Sequence, residues 1–244
     1  MESQKSIILS HLERQILPLQ GFKKLPTDNN VCVDCKDIEQ AFPNASFPIG
    51  CTHEFITEHI QDLAATNGFI SAILSKLLKL GGACLWISAS RTAFPGALQT
   101  FNINPEQLIF IDLKNEKDVL YATEEALKCN KLIAVIADIK NLSFKESRRF
   151  QLAAEQSRVT GFLIRNQKYS NTIASVSRWC ITSLPSPVED GMPGIGFPTW
   201  KVDLLKIRNG TPASWTIEWS SNNFNIIKEQ EEATTWYEGL RMVS

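Results

Sequence analysis

The chain has 244 residues, of which 43% are hydrophobic and 21% charged, a globular composition that speaks against a wholly disordered protein. Its 25 Lys and Arg nearly balance its 26 Asp and Glu, leaving a net charge of -1. A long-range positive field is therefore not the expected basis of any nucleic-acid binding, and only a local basic patch remains open.

No apolar stretch reaches the roughly 18 residues of a membrane-crossing helix, so none is expected. Met1–Leu12 has a short apolar run but no long apolar core followed by a small-residue cleavage site, so no signal peptide is expected. Six cysteines stand at 32, 35, 51, 84, 129 and 180. Cys84 and Cys180 fall within strand-like runs and read as small buried hydrophobes. The expected compartment is cytoplasmic.

In chain order, residues 1–46 read as an N-terminal helical appendage. Ile8, Leu12 and Ile16 recur every fourth residue, which predicts a short amphipathic helix over Ser6–Leu17, ended by Pro18. Pro26, Asp28, Asn29 and Asn30 break the chain, and Cys32–Phe42 fits a second short helix closed by Pro43.

Residues 47–220 read as the core. Cys51–Ile56 suits a short strand. Phe69, Ile73, Leu77 and Leu80 form one stripe, which predicts a helix over Gly68–Leu80, stopped by Gly81-Gly82. Ala83–Ala89, Leu108–Leu113, Leu132–Ala137 and Val159–Ile164 are short apolar runs without alternation, as in strands covered on both faces. Helices are predicted between them, over Asn115–Lys128 with Asn115 as cap and over Ser143–Arg158 opened by a Ser143/Glu146 capping box.

Past residue 170 the pattern turns antiparallel. Val176–Leu184, Trp200–Ile207 and Ser214–Trp219 are strand-like, and Asn209-Gly210 is a hairpin signal. Trp200, Trp215 and Trp219 are either core anchors or cover for a partner-binding face, with the core expected for most of them. Residues 221–244 are polar and read as a weakly ordered tail. The fold class is therefore α/β, a mostly parallel sheet with helices on both faces and antiparallel strands at the C-terminal end.

In such sheets ligands sit beyond the carboxyl ends of the strands. Here those ends carry Ser88 and Ser90, Asp112, Asp138, and Asn166 with Gln167. Asp138 follows an apolar strand, where a nucleotide-binding protein places its magnesium-associated carboxylate; a turn or helix-start aspartate gives the same pattern. A phosphate loop would need G-x-x-x-x-G-K-[ST] after the first strand. Glu58–Gly68 offers one glycine, no lysine and the negative charge of Asp62, though Asn67-Gly68 would open the next helix.

Cys32-Val-Asp-Cys35 is a lone C-x-x-C, either redox-active, half of a zinc site or two ordinary thiols, and Cys51, His53 and His59 add no finger-like spacing. His11, His53 and His59 are expected at the surface. Lys145, Arg148 and Arg149 form a basic patch, continued by Arg165, Lys168 and Arg178 after the fourth strand. These are either a solvated face or contacts to a nucleic-acid backbone or an acidic partner. The loop from 185 to 198, rich in Gly and Pro, is a connector or a contact loop.

Three stretches carry a resemblance. They are Phe47-Pro-Ile-Gly50 with His53-Glu-Phe55; Arg148-Arg-Phe-Gln-Leu-Ala-Ala-Glu155 with Gly161–Arg165; and Trp200–Gly210 running on to Trp215–Trp219. In this order and spacing the chain resembles the ImuA family, RecA-like accessory proteins of bacterial SOS-linked, error-prone translesion synthesis, related to RecA and SulA.

The resemblance implies a P-loop NTPase-type core. Glu58–Gly68 then occupies the phosphate-loop slot without its Gly-Lys-Thr ending, leaving Asn67 and Gly68 as its remnants. Ser90 falls near a catalytic glutamate's place, Asp138 matches a strand-end aspartate, and Asn166-Gln167 matches a nucleotide-sensing pair. With no lysine to neutralise a phosphoryl group and no carboxylate base, the site implies an adaptor without ATP turnover or cofactor. The implied partners are a Y-family polymerase-like protein and an error-prone replicative-type polymerase, with RecA a further one. Arg148, Arg149, Arg165 and Lys168 are the candidate partner or DNA contacts. The alternatives are a SulA-like cell-division inhibitor and a weak nucleotide- or DNA-binding regulator of recombination.

Overall fold

The computed structural model describes residues 35–43, 45–90, 93–166, 171–186 and 196–227. Its strands are β1 (Thr52–Thr57), β2 (Ala83–Ser88), β3 (Leu108–Asp112), β4 (Leu132–Asp138), β5 (Thr160–Asn166), β6 (Ser177–Leu184), β7 (Thr199–Ile207), β8 (Ala213–Ser220) and β9 (Asn223–Ile226). Its helices are α1 (Lys36–Gln40), α2 (Ile60–Leu77), α3 (Pro95–Leu98), α4 (Glu116–Lys128) and α5 (Phe144–Ser157).

The strands form one nine-stranded sheet in the order β3-β2-β4-β5-β1-β6-β7-β8-β9. From β3 through β6 every neighbouring pair is parallel, and from β6 onward every pair is antiparallel. The apolar runs of β2, β4 and β5 do not alternate because both faces are covered. The edge strand β3, expected to be covered likewise, has no buried residue and leaves Ile109 exposed, because it has a neighbouring strand on one side only. Trp86, Ile136 and Phe162 point to one core layer, while Ile87, Val135 and Leu163 point to the other. Helix α2 closes the first layer with Phe69, Ile73 and Leu77. Helices α4 and α5 close the second with Val119, Leu127, Phe150 and Ala154.

The antiparallel strands do alternate, as one-sided burial requires. On β7, Trp200, Val202 and Leu204 are buried beneath the α2 layer, whereas Lys201 and Leu205 are exposed. Trp219 is buried on β8, and Trp215 packs against the same cluster. The expected tryptophan anchors are therefore core residues.

Several boundaries differ from the sequence expectation. Helix α2 begins at Ile60 rather than at Gly68, so most of the presumed Glu58–Gly68 connection is helical. One window of this helical segment, Gln61–Leu80, is long and apolar enough by length and composition to cross a membrane, contrary to expectation. Since 78% of it is buried against the rest of the protein, its apolarity is that of a core helix.

The described part of the N-terminal appendage is joined to the core. Ile38, Phe42 and Phe47 are buried with Trp179, and the Thr211 amide donates to the carbonyl of Ala41. The presumed tail begins with a ninth strand, whose Phe224 packs on Phe69 and Trp219. The predicted helix over Ser6–Leu17 and residues 228–244 lie outside the described residues.

Local signals explain some helix ends. Ser143 Oγ accepts from the Glu146 amide at 3.3 Å while the Glu146 carboxylate accepts from the Ser143 amide at 2.9 Å, closing the predicted capping box of α5. Asn115 holds the N-cap position of α4 without a capping bond; its amide instead donates to Asp118 Oδ2 at 2.9 Å. Gly81, at φ 91°, takes the chain off the end of the α2 segment, in a region that only glycine enters freely.

Candidate functional site

The carboxyl edge of the parallel sheet gathers some of the predicted nucleotide-site residues and leaves others behind. Asp138 ends β4, Asn166 ends β5, and exposed Ser90 follows β2, the strand paired with β4 on its other side. Asn67 and Gly68 do not join them. They lie about two turns, or roughly 10 Å, inside α2. Gln167 lies outside the described residues.

The connection from β1 to α2 is only Glu58 and His59. Asp62, buried in the first turn of α2, accepts from the His59 amide at 3.3 Å and from the Ser183 amide at 3.4 Å. The positive end of the helix thus has a carboxylate of the chain itself beside it.

Asp138 is partly buried, which raises its carboxyl above the ordinary value; nearby Glu116 raises it further and Lys140 lowers it. Glu116 is itself engaged, its Oε1 accepting from the amides of Lys140 at 2.7 Å and Asn141 at 3.1 Å. This carboxylate clamps the chain just past β4.

Arg165, expected as a surface contact, is instead buried near the carboxyl end of β5. Its guanidinium donates to Glu54 Oε1 at 2.7 Å and to Asn171 Oδ1 at 2.7 Å. Arg178 donates to the other oxygen of Glu54 at 2.6 Å and to the Asn171 carbonyl at 3.1 Å. The side chains of Glu54 and Arg165 have no solvent exposure. The strand register produces this cluster: Glu54 on β1 lies between Leu163 of β5 and Arg178 of β6, with Arg165 two residues farther along β5. Two guanidiniums share one carboxylate, so the cluster carries one excess positive charge.

His53 likewise departs from its expected surface position. It is fully buried between Phe47, at a ring separation of 4.5 Å, and Phe162, at 5.8 Å. Its Nε2 donates to the Pro48 carbonyl at 2.8 Å, and the Ser177 hydroxyl donates to its Nδ1 at 2.6 Å. Ser177 Oγ accepts in turn from the Trp179 indole at 2.7 Å. The neutral ring with its proton on Nε2 satisfies this chain of bonds, the tautomer being assigned from the partners. Burial lowers the His53 pKa to about 4. His59 is exposed, as expected, and His11 lies outside the described residues.

The basic patch on α5 divides. Arg149 is exposed and paired with Glu124 of α4. Arg148 is exposed and lines an open cleft of about 410 Å³ together with Phe144, Ile173, Ser175, Lys206 and Arg208. Lys206 and Arg208 were absent from the predicted contacts although they stand in the β7 hairpin sequence. The signal was the position of Lys206 on, and Arg208 just past, an antiparallel strand with one uncovered face, which depends on knowing where the helices stop. Lys168 lies outside the described residues.

Among the described residues, no group of three or more His, Cys, Asp or Glu side chains is arranged to hold a metal ion. Cys35 is buried near the N-terminus of α1, and its presumed partner Cys32 lies outside the described residues. Cys51, Cys84 and Cys180 are buried, and desolvation pushes each thiol up, away from thiolate chemistry.

The architecture is that of an α/β protein with a mostly parallel sheet covered on both faces and an antiparallel extension covered on one. No family model matches the chain. It is, however, 28% identical to the protein ImuA of Caulobacter vibrioides over 195 residues, covering 74% of this chain and 80% of that protein, and the match is the same in two strains. This similarity supports membership of the ImuA family.

Proposed function

We propose that the protein is a non-catalytic accessory factor in error-prone translesion DNA synthesis, one that assembles or regulates polymerase partners rather than acting on DNA or nucleotide. The observation that carries this reading is the similarity to protein ImuA over 74% of the chain. The β1–α2 turn supports the non-catalytic part. Two residues leave no loop to wrap a phosphate, and an incoming phosphate would meet the carboxylate of Asp62 at the helix end.

The partners in this reading are a Y-family polymerase-like protein and an error-prone replicative-type polymerase, with RecA as a further candidate. Co-expression of the full chain with a Y-family polymerase relative, followed by affinity purification and size-exclusion chromatography, tests it. A stable complex of defined stoichiometry is expected. Reproducible separation of the two proteins at micromolar concentration would overturn the assembly role.

A further inference from the structure

We propose that the cleft between α5 and the end of β7 is a docking site for an acidic peptide segment of a partner protein, one that presents an apolar side chain flanked by carboxylates. The inference rests on the geometry of the cleft and stands whether or not the polymerase-assembly reading holds.

The cleft combines two kinds of surface. Phe144, 57% exposed, and Ile173 supply an apolar floor. Arg148, Lys206 and Arg208 place three cationic side chains around it. Arg208 is 3.9 Å from Glu155, a loose contact. Arg148 and Lys206 have no ion-pair partner among the described residues. Positive charge collected on one apolar cleft of a chain with net charge -1 is a local feature, suited to a local anionic partner.

The wall is fixed rather than improvised. Asn171, which leads into residues 172–175 of the wall, is gripped by both Arg165 and Arg178. Farther along, the Ala174 amide donates to Ser147 Oγ at 3.0 Å, tying the wall to α5. The Glu54–Arg165–Arg178 cluster behind it adds its one excess positive charge. A preformed wall lowers the ordering cost of binding.

An acidic peptide fits better than a nucleic acid on the placement of the charges. The cations converge on one cleft rather than tracking a strand, as a single-strand groove does.

Random twelve-residue peptides displayed on phage and selected on the full-length protein would test the site, with Arg148→Glu/Lys206→Glu as the counter-selection target. Both positions are exposed, so the variant should fold, and its melting curve checks that. Enriched peptides are expected to share an aromatic or aliphatic residue flanked by Asp or Glu. They are expected to bind the wild type at least tenfold more tightly than the double variant by fluorescence anisotropy, and to weaken as salt rises. Lys117→Glu, on exposed α4 surface, should bind as the wild type does. No enriched motif, a motif without carboxylates, or equal binding to the double variant would overturn the proposal. So would cleft-dependent binding of a labelled twenty-residue oligo-dT without any acidic motif, which would assign the cleft to nucleic acid.

Discussion

Gly68 of α2 lies directly against Trp200 of β7, and a Cβ built on it would stand 2.9 Å from the indole Cζ2, with Phe101 at 3.4 Å. Glycine in a helix interior normally costs about 1 kcal/mol relative to alanine. Here it permits helix and strand to approach across a wide aromatic ring. Gly68→Ala is therefore expected to destabilise by about 1–3 kcal/mol, the cost of overpacking, instead of stabilising. Urea unfolding measures it, and Trp200→Phe in the same chain should recover part of the loss. A more stable Gly68→Ala protein would contradict the packing role.

The buried carboxylate of Glu54 neutralises a guanidinium that has no access to water. Glu54→Gln leaves Arg165 buried without its counter-charge, and breaking such a pair costs about 3–5 kcal/mol. Replacing both members, as in Glu54→Gln/Arg165→Met, should be less damaging than Glu54→Gln alone. A double-mutant cycle by denaturant unfolding checks this. Simple additivity of the two single changes would mean that the pair is not coupled.

The buried His53 makes stability depend on pH with a definite sign. The unfolded chain takes up a proton near the ordinary value of 6.5, while the folded ring resists protonation until about 4. Between those values the unfolded state holds more protons, so stability is full above about pH 6.5 and falls as pH drops towards 4. The total loss is about 3 kcal/mol. Protonation would also take away the Nδ1 acceptor to which the buried Ser177 hydroxyl donates. Asp138 acts in the opposite direction: its raised carboxyl makes the folded state the better proton acceptor above the ordinary value of 3.8. Melting temperatures across this range for the wild type and Asp138→Asn separate the two contributions. The His53 ring resonances should titrate near pH 4, and titration near 6.5 would remove the prediction.

Much of the fold was legible because burial leaves a periodic trace. The doubly covered strands β2, β4 and β5 showed as unbroken apolar runs, and the one-sided β7 and β8 showed as alternation. The capping box at Ser143 located the start of α5. The start of α2 was hidden because its first two turns carry Gln61, Asp62, Thr66 and Asn67, residues more typical of loops, and because Gly68 resembles a helix boundary. Only the long-range fit against Trp200 explains that glycine.

The candidate site was less legible, since charge alone does not reveal depth. Arg165 and Arg178 looked like a continuation of the α5 patch. It takes the pairing of β1 with β5 and β6 to place Glu54 between them. His53 read as a surface group because its partners are a serine 124 residues away and the Pro48 carbonyl, neither of which leaves a local pattern.

The turn between β1 and α2 yields the last prediction. A nucleotide's phosphates need several backbone N–H groups converging from a wide loop, with a lysine to reach the terminal group. Glu58 and His59 supply neither, and Asp62 holds negative charge where a phosphate would sit. Isothermal calorimetry with magnesium-ATP is expected to show no saturable heat up to a dissociation constant of about 1 mM, near the weak end of measurable affinity. Asp62→Asn should not create binding, because removing one repulsive charge does not build a loop. Saturable heat in the wild-type protein would overturn the reading that this edge of the sheet holds no nucleotide, and the adaptor role would have to include a nucleotide-gated switch. It would direct attention to Ser90 and Asp138, whose strands end side by side on the same edge of the sheet.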